Sequence, residues 1–189
     1  MTLLGIGLLI WVAVHLFPSL FPATRQSLTE RLGNMAYQGV FALCILTGLL
    51  LIIFGWRNAV PTHVYAPPVA LREPAMLLVV VGFILMAAAN FPATRIKRFI
   101  RHPQLSGVLL WAIAHLLMNG DSRSLLLFVV IGLWALVSMF TINHRDGPWV
   151  RPVSPAGWIP EVIIVTAGIV VAVLISYFHE YLAGVPLVG

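Results

Sequence analysis

The amino-acid sequence predicts an all-α polytopic membrane protein, a bundle of about six transmembrane helices forming one domain over residues 1–189. Three observations carry that expectation. The chain is 60% hydrophobic and 9% charged, with a mean hydropathy of +0.99, which leaves too little polar surface to coat a soluble globule. Apolar stretches long enough to cross a bilayer recur along the whole length. The basic residues gather in the short segments between them, and they alternate in density from one segment to the next.

The expected spans are residues 3–20, 36–56, 75–91, 104–118, 124–142 and 161–181. The first has no basic flank before it and no small-residue cleavage site after it, so it reads as a retained helix rather than a removable signal. The connection after it carries Arg25 and Arg31, the third carries Arg95, Lys97, Arg98 and Arg101, and the fifth carries Arg145 and Arg151. The second and fourth hold only Arg57, Arg72 and Arg123. That asymmetry places the odd connections in the cytoplasm and both termini on the opposite side. The cluster in the third connection suits anionic lipid headgroups. Pro61, Pro67, Pro68 and Pro74 make the second connection extended, and Asp146, Gly147, Pro148 and Pro152 break the chain between the last two spans. Trp149, Trp158 and Tyr181 suit the aromatic belts at the two interfaces.

Several chemistries are excluded. Cys44 is the only cysteine, so neither a disulfide framework nor a CxxC site is available. The pI near 10.2 comes from loop residues that act as orientation signals, which argues against nucleic acid as a partner. No Ser/His/Asp arrangement, paired carboxylates or phosphate loop is visible.

The chemistry-bearing pattern is an internal echo. Gly7, Trp11, His15 and Leu16 in the first span match Gly107, Trp111, His115 and Leu116 in the fourth, with apolar residues between. At about 100° per residue each set lines one helix face, expected to turn away from lipid because small and polar residues belong at helix contacts. The two spans run in opposite directions, which suggests an inverted repeat of two three-helix halves. At about 1.5 Å per residue the two imidazoles straddle the midplane with an offset of about 9 Å. If the two helices are neighbours, each histidine lies level with the glycine of the other. That glycine gap is expected to receive an imidazole or the edge of a flat cofactor.

An imidazole buried at that depth is expected to be uncharged, the form that ligates metals and equally the form of an ordinary structural histidine. No Cys, Asp or Glu lies nearby at intramembrane depth to complete a tetrahedral zinc site, whereas two axial imidazoles between tryptophan walls suit a b-type haem. His179 lies at a depth similar to His115 and is a second candidate partner for it. A literal repeat, Phe21-Pro22-Ala23-Thr24-Arg25 and Phe91-Pro92-Ala93-Thr94-Arg95, reads as two similar helix exits, with Pro ending the helix and Arg meeting headgroups or cofactor carboxylates.

The run Arg101-His102-Pro103-Gln104-Leu105-x-Gly107-Val108-x2-Trp111-Ala112-x-Ala114-His115-Leu116-Leu117-x-Asn119-Gly120 resembles the NnrU family of membrane proteins. Similarity extends through Glu30-Arg31-Leu32-Gly33, Pro67-Pro68 and Pro92-x2-Arg95-Ile96-Lys97, over most of the first 140 residues. The resemblance implies a bacterial inner-membrane protein that supports nitrite and nitric oxide reduction, in company with nitrogen-oxide reductase components. It also implies His15 and His115 as axial haem ligands and His102 as a further family histidine. A plant relative is a haem-dependent isomerase of a cis double bond in zeta-carotene, so an isomerase-like enzyme is the alternative. A protein in which the histidines only join helices is the third. Cys44 lies far from His115 in sequence, so a Cys/His ligand exchange beside that histidine lacks its thiolate.

Overall fold

The computed structural model describes residues 1–92, 94–153 and 157–185, and their regular structure is helical apart from one isolated bridge between His63 and Asp121. In chain order the helices are α1 (Thr2–Leu20), α2 (Pro22–Leu32), α3 (Asn34–Asn58), α4 (Arg72–Ala89), α5 (Ile96–Phe99), α6 (Pro103–Met118), α7 (Ser122–Asp146), α8 (Ile159–Tyr177) and α9 (His179–Ala183). A 3-10 turn, Val69–Leu71, leads into α4. Five of these, α1, α3, α4, α7 and α8, are long and apolar enough to cross a membrane. Their outward faces are apolar, with Phe140 74% and Leu9 69% exposed, as a lipid solvent requires.

The fourth expected span is the exception in length. Helix α6 has 16 residues, about 24 Å at 1.5 Å each, against a hydrocarbon core of about 30 Å. Its flanking residues meet both ends of the 25-residue α7. His102, just before α6, bonds Asn143 near the end of α7, and Asn119 and Gly120, just after it, meet the segment 62–65 beside the start of α7. The chain between α6 and α7 turns at Asp121, whose Oδ1 accepts from the backbone N–H groups of Arg123 and Ser124 at 3.0 and 3.1 Å. Removing that cap by Asp121→Ala is expected to cost about 1 kcal/mol. Thermal unfolding in detergent checks it, with Asp121→Asn retaining most of the stability.

The packing order around the bundle is α3, α1, α7, α6, α4, α8. Two hairpins, α1 with α3 and α4 with α6, thus flank α7 on either side. Close approach within each hairpin depends on glycine. A Cβ on Gly7 would lie 2.6 Å from the backbone nitrogen of Ile52, and one on Gly82 would lie 2.8 Å from the carbonyl oxygen of Gly107. The two ends of the arc, α3 and α8, are joined through α9, where Trp56 donates to the Ala183 carbonyl at 2.9 Å and Arg57 to the Tyr181 carbonyl at 2.9 Å. We call this end, which carries Thr2 and α9, the upper end. The basic connections lie together at the lower end, where Arg145 reaches Ser19 and Arg95 reaches Glu161.

Four sequence expectations are corrected. The inverted repeat of three-helix halves requires α3 to pack on α6 and α1 on α8, and neither is among the packed pairs of the described residues. The matched surroundings arise instead from two hairpins whose chain order is reversed about α7. The sixth span ends at Tyr177, and residues 179–183 form α9, which turns onto α3. The first connection is itself a helix, α2, because Pro22 occupies a first-turn position where no N–H is needed. The two Phe-Pro-Ala-Thr-Arg segments are therefore not equivalent. The second, whose Ala93 lies outside the described residues, turns so that Arg95 pairs with Glu161 at 3.0 Å and covers the Trp158 ring at 4.0 Å.

Candidate functional site

Helices α1 and α6 project their tryptophans and histidines toward one interior cleft, as the echo predicts. His15 Nδ1 lies 2.8 Å from the Trp11 carbonyl and His115 Nδ1 lies 2.8 Å from the Trp111 carbonyl, each four residues earlier on its own helix. A carbonyl only accepts, so each Nδ1 carries the proton and donates. Each Nε2 is then left with a lone pair, the arrangement found in metal-ligating histidines. The indole of the preceding turn lies tilted against each ring, with centroids 4.2 Å apart for Trp11 and His15 and 4.6 Å for Trp111 and His115.

Helix α7 supplies the wall between the two pairs. Trp134 meets His15 edge-on at 5.0 Å, and Phe128 stacks on His115 at 4.4 Å. These two α7 positions are six residues apart, about 9 Å of helical rise, which agrees with the vertical offset expected from the sequence. His15, His115, Trp11 and Trp111 all line a single cleft of about 2160 Å³ that continues between α3, α4 and α8.

The glycines of the echo do not open onto that cleft. Gly7 faces the backbone of α3 and Gly107 faces Gly82 and Met86 of α4, so their missing side chains admit neighbouring helices rather than a cofactor edge. His102 lies at the lower mouth, and its Nε2 meets the Asn143 amide oxygen at 2.8 Å, so it ties α6 to α7. His179 lines the upper part of the cleft, anchors its Nδ1 on the Val185 carbonyl at 2.8 Å, and lies within electrostatic reach of His115.

The upper mouth is covered by the connection between α3 and α4. Val64 and Tyr65 both donate their N–H to the Gly120 carbonyl, at 2.9 and 3.0 Å, and the Tyr65 hydroxyl donates to the carbonyls of Leu116 and Asn119. Burial, and secondarily the Asp121 carboxylate, pushes the Tyr65 phenol up from its ordinary value, which keeps this donor protonated. Arg123 sits over Trp56 at 4.3 Å and fixes the top of α7 against α3.

Sequence reasoning missed Phe128, Trp134 and Ser138. Their signal was present as large aromatics and one hydroxyl at helical spacing on α7, but nothing in that helix repeats the histidine pattern. Among the described residues no group of three or more His, Cys, Asp or Glu could hold a metal ion. A planar macrocycle that brings its own four nitrogens asks the protein only for one or two axial ligands, and a free Nε2 of His15 or of His115 suits that role.

The family described as NnrU protein matches residues 3–187. The chain belongs to the NnrU family. The match runs past the segment that carried the sequence resemblance and takes in α8 and α9, so His179 also lies within the family region. No curated protein and no solved structure matches the chain.

Proposed function

We propose that this NnrU protein is an accessory protein of nitrogen-oxide reduction in the bacterial inner membrane and binds haem b through His15 and His115. The observation that carries the reading is the matched tautomer. Both imidazoles are pinned at Nδ1 by a carbonyl of their own helix and offer Nε2 to one cleft. The cleft's volume exceeds the ~300–1,000 Å³ of ordinary ligand pockets, which leaves room for a macrocycle. When bound, the haem would supply a one-electron redox centre. The protein's own residues orient the two imidazoles, wall the site with Trp11, Trp111, Trp134 and Phe128, and keep bulk water out at the upper mouth. Family membership supports the link to nitrogen-oxide reduction and to reductase components as partners. The charge asymmetry supports a topology with both termini outside the cytoplasm.

The deciding experiment is an absorption spectrum of detergent-purified protein from haem-replete cells, oxidised and reduced. A Soret band with a sharp reduced α-band is expected, and colourless protein would leave the histidines as helix-joining residues. The cleft's size also favours a second reading, a haem-dependent cis-trans isomerase acting on a long polyene. Conversion of zeta-carotene isomers by cells expressing the protein is its test.

A further inference from the structure

Part of the cleft wall is chemically unfinished. The indole Nε1 of Trp11, the indole Nε1 of Trp134 and the hydroxyl of Ser138 are buried and meet no hydrogen-bond partner among the described residues. Trp134 and Ser138 are more than nine-tenths buried, at 8% and 5% exposure, and both line the cleft. They stand one turn apart on α7, and Trp11 faces Trp134 across 5.8 Å. An unmet donor in an apolar interior costs about 1–3 kcal/mol, so each of the three calls for an acceptor.

The chemistry of that acceptor is constrained. An indole N–H can only donate, so the ligand must bring lone pairs. The cations at the lower mouth are already engaged or distant. Lys97 is held by the Ala89 and Phe91 carbonyls, and Arg101 lies at the level of Asp146, eight residues and about 12 Å of rise below Ser138. A carboxylate among these donors would be a buried charge without a countercharge, whereas a neutral carbonyl oxygen is satisfied by N–H and O–H groups alone. The route to the cluster is apolar. Below the α9 strap α3 and α8 are not among the packed pairs, and the cleft there is bordered by Leu49 and Ile53 on one side and Ile169 and Val173 on the other.

We propose that the lower half of the cleft binds a neutral, flat lipophile bearing carbonyl oxygens on an apolar tail, of the quinone class, which enters from the bilayer between α3 and α8. Its carbonyl oxygens accept from Trp134, Ser138 and Trp11, and its ring lies against the indoles. This site shares the Trp11 and Trp134 walls with the proposed haem site, but it uses their N–H groups and the Ser138 hydroxyl, which no imidazole occupies.

The test uses the full-length protein in lipid nanodiscs, with decylubiquinone as the probe and equilibrium dialysis as the readout. Saturable binding is expected, with Kd raised about fivefold or more in Ser138→Ala and in Trp134→Phe. Decylbenzene, which has the tail and a ring but no carbonyl, is expected to bind at least that much more weakly. Ser138→Ala removes only one oxygen, so it keeps the test meaningful should Trp134→Phe fail to fold. Unchanged decylubiquinone affinity in Ser138→Ala, or equal affinity for decylbenzene, overturns the proposal. So does a fall in haem content in Ser138→Ala with decylubiquinone binding intact, which would assign these donors to haem propionates.

Discussion

Purified His115→Ala protein is expected to lose its Soret absorbance. Substituting residues that merely orient a metal ligand lowers metal affinity about 10–100-fold, so removing the ligand itself should exceed that range. His115 is held by the Trp111 carbonyl at 2.8 Å and stacked on Phe128 at 4.4 Å. His15→Ala is expected to leave a weaker, five-coordinate haem, visible as a broadened reduced α-band and a shifted Soret maximum. His179→Ala discriminates the axial pair. A normal spectrum in His179→Ala supports His15 opposite His115, whereas a normal spectrum in His15→Ala with loss in His179→Ala moves the second ligand to the upper end. A Soret band surviving in both His15→Ala and His115→Ala would remove these ligands altogether.

The two histidines could be singled out because they stand in matched company. Four-residue spacing of Gly, Trp and His fixes one face per helix, and a polar ring on such a face in an apolar run has no inexpensive place in lipid. The vertical offset followed from helical rise alone, and the partners at Phe128 and Trp134 reproduce it. Which helix lies beside which was less legible. A lone face records that it is buried, but not against what, so whether α1 and α6 are neighbours stayed open in the sequence, and α7 stands between them. The glycine gaps were misassigned for the same reason. Helix α2 escaped notice because its sequence is polar and none of its residues is buried. The ion pair of Arg95 with Glu161 joins positions 66 residues apart, a separation that no local pattern encodes.

Glycine packing makes the second large prediction, and it can be read without any cofactor. Lipid tails are as apolar as the side chains they would replace, so helix association in a bilayer rests on close van der Waals contact between small residues. Gly7→Ala brings a methyl to 2.6 Å from the Ile52 nitrogen, and Gly82→Ala brings one to 2.8 Å from the Gly107 carbonyl oxygen. In both cases the obstacle is backbone, which cannot rotate aside, so each hairpin must splay. Overpacking of this kind costs about 1–3 kcal/mol, and the two together should lower the thermal midpoint in detergent roughly additively because they lie in separate hairpins. Gly5 and Gly39 are the controls, since a Cβ at either meets nothing within 4 Å. Alanine there removes a helix penalty of about 1 kcal/mol and should leave the midpoint unchanged or raise it. Equal destabilisation at all four positions would mean that the hairpins are not held by glycine contacts. Splaying α4 from α6 would also tilt the helix that carries His115, so Gly82→Ala is expected to weaken haem retention while Gly39→Ala does not.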